Sequence, residues 1–444
     1  MLVAEKTSAA LSWPLVSFDK VAIAQSDRGQ RLKQRDYLAE GSIPVIDQGQ
    51  ALVGGYTDDE NASFVGDLPV VLFGDHTRAV KLIHHRFAVG ADGIKIFRPA
   101  EGVRAKYLYY WMKSAPIPDR GYGRHYQYLR GLSVPLPSVE KQDEIVAEIE
   151  KQFSRLDEAV ANLQRVKASL KRYKASVLKD AVEGRLVPTE AELARREGRN
   201  FETGEQLLQR VLVDRRKHWA GRGKYKDPDV VADQHLQALP DGWTWMSVDA
   251  LAFVTKLAGF EYTKFVKYDD SGDLAVIKAE NAGSEGFRRT AFSKVKSESV
   301  SLLTRSKLTA GDLLMVFVGA GTGKVACVPD DQPYFLGPNI SMIRVDKNHA
   351  VPQYIEHYLR SPQGHSLALG FAKAVAQPSL SMGTIRCIPI ALPPRAEQLR
   401  IASEVDRRMS LVRSVEAEVD ANLKRAQALR QSTLANAFQA SPGS

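Results

Sequence analysis

Cysteine is almost absent: Cys327 and Cys387 are the only two in 444 residues. Two thiols exclude a disulfide framework, make a thiolate metal site a poor fit, and suit a reducing compartment. Both read as small core residues. No window of about 18 consecutive apolar residues occurs, so no membrane span is expected. The N-terminal MLVAEKTSAALSW also lacks a basic leader followed by a long apolar stretch. The expectation is a soluble, cytoplasmic protein.

Catalytic signatures are scarce too. The loop FVGAGTGK, Phe317 to Lys324, fits the F-x-G-x-G pattern of S-adenosylmethionine sites, and Asp331-Gln332-Pro333-Tyr334 is one residue from the D-P-P-Y of amino-methyltransferases. In such enzymes the two loops end different strands, and one βαβ crossover between them needs about 30 residues. Gly323 and Asp331 are eight apart, so they cannot fill those places. Val318 and Val325 break the phosphate-loop pattern G-x-x-x-x-G-K-[ST]. The adjacent His84 and His85 would face opposite sides of a strand and cannot chelate together. No catalytic residue set and no metal site is expected.

What the chain does have is an internal repeat. VPLPSVEKQDEIVAEIEKQFSRL (from Val134) aligns without a gap to IALPPRAEQLRIASEVDRRMSLV (from Ile390), with Pro137 on Pro393, Gln142 on Gln398 and Ile145 on Ile401, each 256 residues apart. A looser repeat lies upstream. WPLVSFDKVA resembles WTWMSVDALA, IPVIDQGQ resembles LAVIKAEN, GDLPVVLFG resembles GDLLMVFVG, and YLYYWMKS resembles YIEHYLRS. One unit is therefore written twice, a mixed domain followed by a long helix.

The first helix carries a heptad seam at Ile149, Leu156, Leu163, Leu170 and Val177, flanked by Ile145, Phe153, Val160, Val166 and Tyr173. The second keeps the phase with Val405, Val412, Val419, Ala426 and Thr433, beside Met409, Val415, Leu423 and Leu429. Pro135 and Pro137, and Pro389, Pro393 and Pro394, mark the helix starts; Gly184 and Pro188 end the first. About 40 residues at 1.5 Å each give rods of roughly 60 Å, which need a partner helix. Equivalent seams in one chain suggest an antiparallel pair, against the plainer alternative that each packs on its own domain or forms a homodimer.

The expected fold class is α+β: two α/β domains separated by two long antiparallel coiled-coil helices, with an internal pseudo-two-fold repeat. The layout reads as a mixed domain over 1–135, a helical spacer over 136–187, a charged connector over 188–240, a second mixed domain over 241–391, a second spacer over 392–438 and a tail over 439–444. The connector holds one helical pattern, GEQLLQRVLVDRRKHW, and otherwise reads as a solvated linker.

With 61 Lys and Arg against 52 Asp and Glu, the net charge of +9 suits a polyanionic partner such as DNA. Polar, basic loops that can touch phosphates and base edges recur in both domains. In the first, Arg28, Arg31, Lys33 and Arg35 form one run. DHTRAVK supplies Asp75, His76, Thr77, Arg78 and Lys81, and RGYGRHYQYLR interleaves Arg120, Tyr122, Arg124, Tyr126, Gln127 and Arg130. In the second, the candidates are Lys278, Asn281, Arg288, Arg289, Thr322, Lys324, Gln377, Ser379 and Arg386.

This arrangement resembles the specificity subunits of type I restriction–modification systems, over essentially the whole chain. The residues that carry the resemblance are LPSVEKQDEI and LPPRAEQLRI at the helix starts, KASVLKDAVEGRLV at the first helix end and LPDGWTWMSV opening the second domain. Ser138 and Lys141 depart from the family form, where Pro and Glu are usual, and the first domain lacks the L-P-x-G-W opening. The resemblance implies a non-catalytic subunit with two target-recognition domains. Each would read one half of an asymmetric bipartite target in double-stranded DNA, and the helices would fix the gap between halves. Its implied partners are two adenine methyltransferase subunits and, in the full complex, two motor-nuclease subunits. S-adenosylmethionine, ATP and magnesium would belong to those partners, with no cofactor in this chain. A self-sufficient methyltransferase built on Phe317 to Lys324, and a coiled-coil assembly protein, are the rival readings.

Overall fold

The computed structural model describes residues 13–90, 93–121, 123–219, 224–228, 231, 236–370 and 379–438. The chain divides into two compact units, Met1–Val166 with Glu418–Ser444, and Lys167–Ala417. Each has the same internal plan, so the α+β class and the doubling expected from the repeat are what the structure shows.

In the first unit, strands Ala22–Gln25, Ile94–Pro99, Val70–Gly74 and Val80–Ile83 form one sheet in that spatial order, and Arg31–Leu32, Ala88–Gly90, Ile43–Ile46 and Gly55–Thr57 form another. In the second unit, Ala252–Lys256, Ile340–Val345, Leu313–Val316 and Val325–Cys327 repeat the first sheet. Ser293–Val295, Leu274–Ile277, Tyr334–Leu336 and Lys307–Leu308 make the other. Their centres agree. Ile43–Ile46 runs parallel to Ala88–Gly90, as Leu274–Ile277 does to Tyr334–Leu336. The apolar runs VVLFG and LLMV are buried at every position, as β-rich segments enclosed on both faces must be.

A two-stranded clip closes each domain. Leu15–Ser17 pairs antiparallel with Ser133–Pro135, and Thr244–Ser247 with Pro389–Leu392. Pro135 and Pro389 thus sit inside short edge strands, a position that tolerates a missing N–H. The helices follow at Val139–Val182 and Arg395–Phe438. The joint is the same twice. Tyr107 donates its hydroxyl to the Pro135 carbonyl and Tyr354 to that of Ala391, both at 2.5 Å. Gln142 and Gln398, both fully buried, donate to the carbonyls of Pro137 and Pro393 and accept from the main-chain N–H of Arg104 and Val351.

Within the first unit, the start of the first helix meets the end of the second: Val146 and Ile149 share a core cluster with Leu434 and Phe438. Within the second unit the sense is reversed, with Val177, Leu178 and Ala181 packed among Ile401, Val405 and Met409. The pairing is therefore antiparallel. Cations 256 residues apart tie it at repeat-related places. Lys174 bridges Glu416 at 2.8 Å, and Arg430 bridges Asp157 while covering the Phe153 ring. Val412, Val419 and Ala426 are buried, whereas Leu156, Leu163 and Leu170 are only half-buried. The expected flanking positions Val166, Tyr173, Val415 and Leu429 are exposed, since a two-helix pair has one seam and no second layer.

The connector is not a solvated linker up to Lys217. Glu190–Glu197 and Gly204–Lys217 are helices, each started by a capping box, Thr189 with Glu192 and Thr203 with Gln206. Leu207 and Val211 are fully buried in the cluster around Trp243. Beneath them lies Glu397, also fully buried. It accepts from the Trp243 indole N–H at 2.9 Å and the Glu190 main-chain N–H at 2.8 Å. Burial pushes its carboxyl up to about 7. The Glu190 carboxylate stands between Arg199 and Arg400 at 2.7 Å each, and these outweigh burial to hold it low. Among the described residues, no helix is long and apolar enough to cross a membrane.

Candidate functional site

In the first unit, the hairpin Val70–Gly74 and Val80–Ile83 ends in a turn that presents His76, Thr77 and Arg78, with Arg78 itself left-handed at φ 57°. Three loops meet there. Asp75, 6% exposed, accepts the main-chain N–H groups of His125 and Tyr126 at 2.8 and 2.7 Å. His125 is fully buried. Its Nε2 accepts from the Arg120 N–H, so its Nδ1–H donates to the Asp75 carbonyl at 2.9 Å. His76 Nδ1–H reaches the Gly123 carbonyl at 3.2 Å, and Arg78 reaches the Ile117 carbonyl and the Asp119 carboxylate.

The third loop carries Gln48 and Gln50. Gln48 accepts from the His76 N–H with its side chain and from the Thr77 hydroxyl with its main chain, and Gln50 donates to the Thr77 carbonyl. A Cβ at Gly93 would meet Gln48 and His76 at 2.9 and 3.0 Å, so only glycine permits this approach. Lys81 lies beneath, 5% exposed, donating to the carbonyls of Asp47 and Leu52. It is a buried strut and not a surface contact, and burial lowers its ammonium pKa.

The structure thus brings His76, Thr77, Arg78, Arg120, Arg124 and Gln127 to one polar patch, with Arg120, Arg124 and Gln127 exposed. Gln48 and Gln50 belong to it, and their only sequence signal is a place directly after a repeated strand. Arg31 pairs with Asp27 and reaches the Ile94 carbonyl beside Gly93. Lys33 and Arg35 are exposed on the following turn. Tyr126 turns inward, its ring 5.7 Å from that of Phe97 and covered by Lys95, so it is not free to stack on a base. Tyr122 and Gln377 lie outside the described residues.

In the second unit, the loop Phe317 to Lys324 occupies the place of the His76 turn. Gly319 and Gly323 are left-handed at φ 97° and 86°, and Thr322 Oγ1 donates to the Gly319 carbonyl at 2.7 Å. These glycines make a tight turn that leaves Lys324 exposed. Ser379 lies against this turn through a bridge to Val318. Lys278, Arg288 and Arg289 group separately. Lys278 donates to Ser293 and lies over the Tyr268 ring, and Arg289 pairs with Asp331. Tyr334 of the D-Q-P-Y run is 1% exposed and donates to Asp331.

Of three further expected contacts, one is buried in the fold and two carry ion pairs at the surface. Asn281 is 1% exposed and ties Lys278, Arg288 and Thr290 together. Arg130 pairs with Asp19 at 2.8 Å and Arg386 with Asp249 at 3.7 Å, a repeated pair at the domain base. Cys327 is half-buried, its thiol pushed up to about 12 by burial, and Cys387 is exposed rather than in a core. His84 and His85 are both exposed. Among the described residues, no three His, Cys, Asp or Glu are grouped to hold a metal ion.

Residues 240–419 match the family described as type I restriction modification DNA specificity domain. The EcoBI type I specificity subunit of Escherichia coli is 23% identical over 312 residues, covering 70% of this chain and 58% of that protein. The EcoKI specificity subunit of E. coli strain K12 is 23% identical over 316 residues, 69% and 57% of the two chains. Over residues 240–419 the chain is similar to the DNA specificity domain of type I specificity subunits. Its matched stretch spans just over half the length of these two relatives. The fold agrees with a chain solved in work on complex assembly and conformational transition of the type I R-M system: TM-score 0.59 at 14% identity, over 96% of this chain and 98% of that one. The family match falls on the second repeat and its helix. The shared clip, tyrosine and buried glutamine give the first repeat the same joint as the matched second.

Proposed function

We propose that this chain is a specificity subunit that binds double-stranded DNA, with each repeat reading one half of an asymmetric bipartite target. It directs adenine methylation and restriction carried out by two methyltransferase subunits and two motor-nuclease subunits. S-adenosylmethionine, ATP and magnesium act in those partners, and this chain contributes no catalytic group. The observation that carries the reading is the doubling itself. A polar turn follows an equivalent buried strand in each unit, at His76–Arg78 and at Thr322–Lys324, and the net charge of +9 favours a polyanion. Side chains held on such turns can reach groove edges, where hydrogen bonds distinguish base pairs.

Exchange of residues 1–135 for those of a relative, followed by methylome sequencing of a host with the partner genes, tests this. One half of the methylated target should change and the other stay. A swap that changed both halves, in a chain that still assembled, would overturn independent reading. Methyl transfer by the purified chain alone would overturn the division of labour with the partners.

A further inference from the structure

The basic turn and the Arg120–Arg130 loop of the first unit are stitched together by two groups that solvent hardly reaches. Asp75 is 6% exposed and His125 fully buried, and they exchange four hydrogen bonds if the neighbouring Tyr126 N–H is included. A carboxylate in so enclosed a place needs such donors, because an unsatisfied buried charge is costly. Asp75 also serves the start of the helix Tyr126–Arg130, from a loop 50 residues away in sequence.

The second unit does this joint otherwise. By strand register Phe317 stands where Asp75 does, and the repeat places Ser381 at His125. Ser381 Oγ caps its own helix, Met382–Arg386, by accepting from the Thr384 N–H. There, among the described residues, the two loops meet through main chain, Leu380 N–H to the Phe317 carbonyl and the Val318–Ser379 bridge. The Asp–His pair of the first repeat is thus not kept in residue type at the matching positions of the second.

We propose that Asp75 and His125 are positioning residues for the first half-site, locking the turn of His76–Arg78 and the loop of Arg124 and Gln127 into one reading surface. The inference rests on the DNA-reading function above. It adds that first-half recognition is cooperative between the two loops through this latch. Neither residue touches DNA; they act through their neighbours.

The test uses the full chain assembled with its methyltransferase partner, and duplexes bearing its methylome-defined target with single changes in one half or the other. Asp75→Ala should lower discrimination against first-half changes by about tenfold, the size of one good base contact, with second-half discrimination unchanged. Asp75→Asn keeps an acceptor oxygen in the same place and should restore discrimination. Hydrogen exchange of the 123–130 segment, read without DNA, should rise in Asp75→Ala and not in Asp75→Asn. Unchanged exchange overturns the latch even if DNA reading stands. Raised exchange with first-half discrimination intact, or equal loss in both halves, overturns its role in specificity. A wild-type complex with no sequence preference overturns the DNA reading itself and the inference that rests on it.

Discussion

The two helix starts share one frame, and one of the residues at which they differ changes what packs on it. Gln142 and Gln398 fill the same buried place with the same bonds, yet the residue before each is Lys141 in one copy and Glu397 in the other. Lys141 lies at the surface with Glu144. Glu397 is enclosed, because the connector helices dock over it and lend it the Glu190 N–H, while Trp243 lends its indole. A repeat can keep its frame and still recruit a new element through one side chain.

The strongest break of this comparison is an exchange of the two residues. Glu397→Lys buries a cation near Arg400, leaves two donors without acceptor, and should cost about 3–5 kcal/mol of unfolding free energy in chemical denaturation. Lys141→Glu, at an exposed site, should leave the denaturation midpoint unchanged. Equal effects at both sites would mean that the enclosure of Glu397 carries no energetic weight.

A smaller effect appears with pH. The ordinary glutamate value is 4.5 and the folded value for Glu397 is about 7, so the native chain holds this proton more tightly than the unfolded chain does. Its contribution to stability is full below 4.5 and is lost as pH rises through about 7. Unfolding free energy should fall by on the order of 2–3 kcal/mol between about pH 5 and 8. Glu190, which shifts the other way, acts only below that window. Glu397→Gln should flatten the slope. A wild-type slope in that variant would place the titration elsewhere.

The smallest contrast is between Arg130 and Arg386. Both make exposed, repeat-related ion pairs, which contribute little in water. Arg130→Ala and Arg386→Ala should therefore leave both the melting temperature and the recognised sequence unchanged. A relaxed half-site in either variant would return that arginine to the DNA surface.

Much of this was legible in the sequence. A constant offset of 256 carried Gln142 onto Gln398, and the structure gives both the same bonds. The repeated strands and the two helix bounds could be read from apolar runs and prolines. Burial could not. A heptad pattern shows which face is apolar, and not whether a second layer covers it, so Val166, Tyr173, Val415 and Leu429, expected to flank the seam, are exposed. Leu207 and Val211 announced a helix, but their docking depends on Trp243, more than 30 residues on. At the site, Arg124 and Gln127 were visible as residue types in a glycine-flanked loop. Asp75 and His125 were not visible as a pair, because nothing local links residues 50 apart. Asn281, an ordinary polar surface residue by type, closes a turn from inside.

The two-stranded clips bear on how such a chain can change. Leu15 lies opposite Pro135 and Thr244 opposite Leu392, so each recognition domain enters and leaves through the same narrow doorway. Whatever is rewritten between those points, in loop length or in residue, need not shift the helix that follows. Each domain is a cartridge with one socket, and the clip keeps its entry and exit side by side at the helix start.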